Sequence, residues 1–188
     1  TARIIEKRFS LQEPKLKITI FQGIPKSGKM ESIIQKSVEL GVYAIVPTAM
    51  QRCVPKLDNE KKPLAKQKRW NKVSKEAAKQ CGRGLVPHVA KSMSFKEALG
   101  ALRGFDLALM PYEELGHSGD RSLKRVLQSA SPVHVGVLIG PEGGFSDEEA
   151  ALAKEAGLCM IGLGCRILRT ETVVSAIISM MMYEYDDI

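Results

Sequence analysis

The chain has 188 residues, 44% of them hydrophobic, 26% charged and 5% aromatic, with a formal net charge of +7. That length fits one domain with at most part of another, and the apolar share excludes a disordered, collagen-like or coiled-coil chain. No apolar run reaches the ~18 residues of a membrane-crossing helix, and the four cysteines, Cys53, Cys81, Cys159 and Cys165, form no C-x-x-C pair, which reads as reduced thiols in a cytoplasmic protein without disulfides or a zinc site.

In chain order, Thr1 opens the sequence without a basic-then-apolar leader, which we read as the end of a preceding segment rather than a signal peptide. Leu16 to Phe21 alternates as a strand. Met30 to Leu40 reads as a helix, with Ile33, Ile34, Val38 and Leu40 facing inward and Gly41 ending it. Val42 to Pro47 is a second strand, and a Pro- and Lys-rich connection from Pro55 to Pro63 leads into a lysine-striped helix. Asp106 to Met110 and Val133 to Ile139 are buried strands. Ser146-Asp147-Glu148-Glu149 is a capping box that opens a helix closed by Gly157. Cys159 to Leu163 is a further strand, and Thr172 to Tyr183 a terminal helix that is apolar nearly all round. Strands alternating with helices predict an α/β fold: a mostly parallel sheet with helices on both faces.

Charge is segregated. Residues 1–84 carry 19 Lys and Arg against 7 Asp and Glu, whereas residues 85–188 carry 9 against 14. A basic half of this kind suits a polyanion. In the lysine-striped helix, Lys68, Lys72, Lys75 and Lys79 fall on one face, opposite Trp70, Val73, Ala77 and Cys81. The stripe reads either as a solvated face or as a phosphate-contacting one, and its place in the basic half, ending at Arg83, favours phosphate. Few aromatics accompany it, so stacking of bases is not indicated.

Three loops carry chemistry. Gly23-Ile24-Pro25-Lys26-Ser27-Gly28-Lys29 matches G-x-x-x-x-G-K between a strand and a helix. However, Met30 stands where a Mg²⁺-holding hydroxyl belongs, and Pro25 removes an N–H from a loop type that works by presenting N–H groups. The second loop, Ile139 to Phe145, follows an apolar strand, where open parallel sheets bind ligands. The third, Leu163 to Thr172, repeats that arrangement and packs Arg166, Arg169, Glu171 and two threonines together. On spacing alone those charges read equally well as structural ion pairs.

IGPEGGFS (139–146) and LGCRILRTET (163–172) strongly resemble the 16S rRNA N3-uridine methyltransferases of the SPOUT superfamily. Lys36 to Val42, Gln51 to Val54, Glu76 to Arg83 and Met110 to Glu114 agree in the same order, so the resemblance runs from about Ile18 to the C-terminus. Gln35, Val38, Cys81 and Cys165 depart from the usual residues, and none removes a charge from the site. The resemblance implies a C-terminal deep trefoil knot, an exception to the rule against threaded loops. It also implies a methyltransferase domain over residues 18–188, with residues 1–17 as the remnant of a PUA-like RNA-binding barrel. S-adenosylmethionine is then held by Met110 and Pro111, by Ile139, Gly140, Pro141, Glu142, Gly143 and Gly144, and by Leu163, Gly164, Arg166, Ile167, Leu168, Thr170 and Thr172. No metal is implied, and the substrate is small-subunit rRNA, with the protein a homodimer through its knot helices.

Chemically, N3 of uridine must lose a proton before it can take a methyl group, which calls for a proton acceptor and for cations near the resulting anion. Glu171 is the candidate acceptor, with Glu142 second, and Arg52, Arg83 or Arg169 the candidate cation. Lys29, Arg52, Lys68, Lys72, Lys75, Lys79 and Arg83 are the candidate RNA contacts. A P-loop nucleotide-binding protein using Gly23 to Lys29, or a non-catalytic RNA-binding module, are the alternatives.

Overall fold

The computed structural model describes Arg3, Ile5, Glu6 and residues 13–26, 28–54, 63–115 and 123–187. Most of residues 1–17, Ser27 and most of the Pro55 to Pro63 connection lie outside the described residues. The elements run β1 (Lys17–Gly23), α1 (Lys29–Glu39), β2 (Ala44–Ala49), α2 (Pro63–Gln80), β3 (His88–Val89), β4 (Met93–Ser94), α3 (Phe95–Leu102) and β5 (Leu107–Pro111). There follow α4 (Leu123–Gln128), β6 (His134–Ile139), α5 (Asp147–Glu155), β7 (Cys159–Ile161) and α6 (Thr170–Glu184).

The strands form one sheet in the order β3-β2-β1-β6-β5-β7, with β4 also on β2, and every pair is parallel. Side-chain alternation divides the interior into two cores, one on each face. Ile18, Ile20, Ile45, Leu109, Val135 and Val137 pack with α1, α2, α4 and α6. Phe21, Val46, Met110 and Leu138 pack with α3 and α5. Covering both faces makes the strands continuous apolar runs, which is why β6 reads Val135, Gly136, Val137, Leu138 and Ile139.

The helices are fastened at polar points. On the inner face of α2, the Asn71 amide donates to Val89 O at 2.8 Å and accepts Val89 N–H at 3.1 Å, so it completes the short edge strand β3. The Glu31 carboxylate of α1 accepts both the Trp70 indole N–H, at 3.2 Å, and the Arg69 guanidinium. The capping box appears at Ser146 and Glu149, and the Glu149 carboxylate also accepts Gln51 N–H at 2.8 Å. α5 is thereby tied to the loop after β2.

Helix α6 is apolar nearly all round, and one side of it is buried within the chain. It packs against α1, α4 and β6 through Val174, Ile177, Ile178, Met181 and Met182. Met180 and Tyr183 on its other side are 46% and 73% exposed. The sequence reading also lacked β3, β4, α3 and α4.

Candidate functional site

In chain order the strands move from β1 outward to β2, then return on the other side, where β6 is laid between β1 and β5. Such a reversal opens a crevice beyond the carboxyl ends of the strands. Here it holds a cavity of about 640 Å³. Its walls are the segment after β5 (Pro111, Tyr112, Glu113, Glu114), the loop after β6 (Ile139 to Glu142, Gly144, Phe145), the loop after β7 (Leu163 to Arg169), Thr170 and Val173 of α6, and Lys29 of α1.

Close backbone approach shapes this crevice. A Cβ on Gly23 would stand 2.6 Å from Pro141 N, so only glycine lets the end of β1 lie under the loop after β6. Gly144 turns that loop with φ +67°, and its N–H donates to Pro141 O at 3.0 Å. Beneath them runs a buried relay. The Gln22 amide donates to the Thr170 hydroxyl at 3.0 Å, and that hydroxyl donates to Gly140 O at 2.7 Å. The start of α6 is thereby locked to the floor of the crevice.

The charged groups fall into two sets. Tyr112, Glu113 and Glu114 form an acidic rim; burial raises the Tyr112 phenol above its ordinary value, and Glu114, Asp147 and Glu113 raise it further. Opposite, Lys29 Nζ lies 3.3 Å from Glu142 Oε1 and 3.5 Å from Glu171 Oε2. Lys26 N–H donates to both oxygens of Glu142, at 3.1 and 3.3 Å. Burial would raise the Glu142 carboxyl, but backbone N–H bonds, Lys26's among them, and the Lys29 ammonium hold it below the ordinary glutamate range.

These positions revise the expected site. The G-x-x-x-x-G-K turn already holds an anion, the chain's own Glu142, which takes its Lys26 N–H and its lysine. Lys29 therefore lines the crevice between two carboxylates. Met110 is fully buried in the core on the α3 and α5 face and does not line the cavity, because its side chain points across the sheet from Leu109. Arg52, Gly143, Glu171 and Thr172 also lie outside the cavity wall.

Arg83 is spent internally. Its side chain is 5% exposed, and its guanidinium donates to Val38 O, Val42 O and the Glu13 carboxylate at 3.0, 2.8 and 2.8 Å. Arg52 is exposed but turned onto the loop after β6, donating to Gly143 O at 3.0 Å. Arg166 and Arg169 line the cavity from its open side. Lys68, Lys72, Lys75 and Lys79 are all exposed on α2, with Lys79 paired to Glu76 at 3.1 Å. The expected site omitted Tyr112, Glu113, Glu114, Phe145, Cys165 and Val173 as wall residues. The rule that pointed to the loops after β6 and β7 applies equally to the segment after β5.

No group of three His, Cys, Asp or Glu side chains among the described residues converges as metal ligands do, and no described helix is long and apolar enough to cross a membrane.

Fold and crevice together define a parallel α/β protein whose ligand site is assembled from the loops after three adjacent strands. Residues 12–182 match the RNA methyltransferase domain family, and the chain belongs to that family. It is 39% identical to the ribosomal RNA small subunit methyltransferase E of Bacillus subtilis over 96% of this chain and 71% of that protein. The protein of the same name from Mesomycoplasma hyopneumoniae is 34% identical over 91% of this chain and 71% of its own. The crystal structure of a ribosomal RNA small subunit methyltransferase E from Neisseria gonorrhoeae, bound to S-adenosylmethionine, superposes with a TM-score of 0.81 at 33% identity, over 91% of this chain and 67% of that one.

Proposed function

We propose that this chain methylates a base of small-subunit ribosomal RNA, N3 of a uridine in 16S rRNA, with S-adenosylmethionine as donor. The observation that carries the reading is the cavity of about 640 Å³ beyond β5, β6 and β7. Its volume suits a ligand of nucleoside size. Its glycine-marked loops bring backbone close to whatever occupies it, and a Cβ on Gly140 would stand 3.3 Å from Gly144 C and from the Phe145 ring.

The residues fit that donor. Ile139, Phe145, Leu163, Leu168 and Val173 offer an apolar wall for an adenine ring, and peptide groups of the two loops offer donors and acceptors for its edge. Glu113 and Glu114 complement the positive charges of the sulfonium and the amino group. Pro111, Ile139 to Glu142, Gly144, Leu163, Gly164, Arg166 to Leu168 and Thr170 are the binding residues in this reading. S-adenosylmethionine supplies a methyl group made electrophilic by the sulfonium to which it is bonded.

The chain's own residues then act on the base. Glu171 takes the proton from N3 onto its carboxylate, while Arg169 stands at the open side to stabilise charge that spreads onto O2 and O4. Extruding the base costs a few kcal/mol, offset by phosphate contacts from Lys68, Lys72 and Lys75. Residues 18–188 form the methyltransferase domain and residues 1–17 the end of an RNA-binding barrel. The loops after β6 and β7 with α6 form a trefoil knot, and the exposed side of α6 around Met180 and Tyr183 pairs with a second copy. The protein works in the cytoplasm, where its substrate is assembled.

Calorimetric titration tests the reading. S-adenosylhomocysteine is expected to bind one site per chain, with Mg²⁺-ATP silent. Labelled methyl transfer to small subunits, with the product located at N3 by mass spectrometry of the nucleosides, completes it. Tight ATP binding without S-adenosylhomocysteine binding would reinstate the nucleotide-binding alternative.

A further inference from the structure

Two carboxylates share one ammonium where the β1–α1 turn meets the loop after β6 and the start of α6. Lys29 Nζ is 3.3 Å from Glu142 Oε1 and 3.5 Å from Glu171 Oε2, so the two oxygens are no further apart than these distances together allow. Like charges that close repel unless a cation stands between them. The two acids are otherwise unequal. Glu142 also accepts Lys26 N–H, whereas Glu171 Oε2 is buried and accepts no hydrogen bond among the described residues. An ammonium at 3.5 Å fixes that oxygen in place, while the Glu171 side chain as a whole stays 22% exposed. The preceding residue is anchored, because the Thr170 hydroxyl is held between Gln22 and Gly140.

We propose that Lys29 is a positioning residue for methyl transfer: its ammonium holds Glu142 and Glu171 in one clamp and so fixes the Glu171 carboxylate that accepts the proton of the base. This inference rests on the role given to Glu171 above. It assigns the lysine of a phosphate-loop-like turn to a carboxylate pair, not to a phosphate of RNA. Glu142 serves as the counter-charge that anchors the lysine, and the acceptor is Glu171.

The test uses the full chain with Lys29→Met, Lys29→Arg, Glu142→Gln and the Lys29→Met/Glu142→Gln double variant. Methyl transfer to small-subunit rRNA is followed with labelled S-adenosylmethionine over a range of RNA concentrations. Lys29→Met is expected to lower kcat on the order of 10²-fold, the range in which a displaced general base acts, with little change in KM for RNA. Lys29→Arg recovers most of that loss. Glu142→Gln in the Lys29→Met background recovers about tenfold, because the remaining carboxylate no longer has a like charge beside it. A raised KM with kcat unchanged makes Lys29 a phosphate contact and overturns the proposal, as does a double variant no better than Lys29→Met. Where the unmodified chain transfers no methyl group, the failure is that of the proposed function. The clamp is then decided by urea unfolding. Non-additive midpoint shifts for Lys29→Met and Glu142→Gln uphold it, and additive shifts overturn it.

Discussion

Gly23 and Arg83 show how single residues set the crevice and its support. Replacing Gly23 with Ala drives a methyl group against Pro141 N, 2.6 Å away, where both partners are backbone and neither can rotate aside. The expected result is a loss of about 1–3 kcal/mol of stability, as for other overpacked positions, with S-adenosylhomocysteine affinity lost more steeply because the loop after β6 must lift. Denaturant unfolding and calorimetry check the two halves. Arg83 joins the end of α1 to Glu13 through three groups. Arg83→Met removes the donor to Val42 O and the ion pair of Glu13, and is expected to cost on the order of 3 kcal/mol. Burial would raise the Glu13 carboxyl, but the bonds from Arg83 and the Leu85 N–H hold it below the ordinary range. A carboxyl lowered by folding contributes stability above its unfolded value of about 4.3, and that contribution is lost as pH falls through the lower folded value. Glu13→Gln should therefore lower stability at neutral pH and flatten the acid limb of stability against pH. An unchanged acid limb would assign that slope to other carboxyls.

At the scale of elements, α5 and α2 were legible for different reasons. The capping box that opens α5 is a local signal, four residues long, and the structure contains it together with a further bond from Gln51 N–H to Glu149. Ser146→Ala removes one acceptor at the helix start and is expected to cost about 1 kcal/mol, or roughly 2–4 °C in Tm for a chain of this size. Helix α2 presents its lysines to solvent as their 4-3-4 spacing predicts, with Trp70 and Ala77 inside. Its inner polar groups were not legible, because Asn71 and Ser74 acquire meaning only when β3 and Pro87 lie beside them. Lys72→Glu and Lys75→Glu are expected to weaken RNA binding, each reducing the salt slope by about 0.7–0.9. An unaltered slope would return this face to a solvated role.

For the molecule as a whole, sheet and crevice are one design. Laying β6 between β1 and β5 buries it on both faces and on both edges, and leaves its carboxyl end at the centre of the site. A ligand held there binds the folded state alone, so S-adenosylhomocysteine at 100 times its Kd should stabilise by about 2.7 kcal/mol. Thermal unfolding with S-adenosylhomocysteine, with Mg²⁺-ATP and without ligand reads this directly, and a Tm raised only by ATP would contradict the proposed function. Local sequence is enough for the parallel α/β class, the main strands, the lysine face of α2 and the two glycine-marked loops. Each of these is written in local periodicity or in a short motif. The remaining features arise only when distant segments meet. Their packing turned Met110 into the core, drew Arg83 onto carbonyls more than 40 residues away, brought Tyr112, Glu113 and Glu114 to the rim, and placed Lys29 between Glu142 and Glu171. Those outcomes depend on which strands become neighbours, and a charged side chain takes its role from the opposite charge that long-range pairing sets beside it.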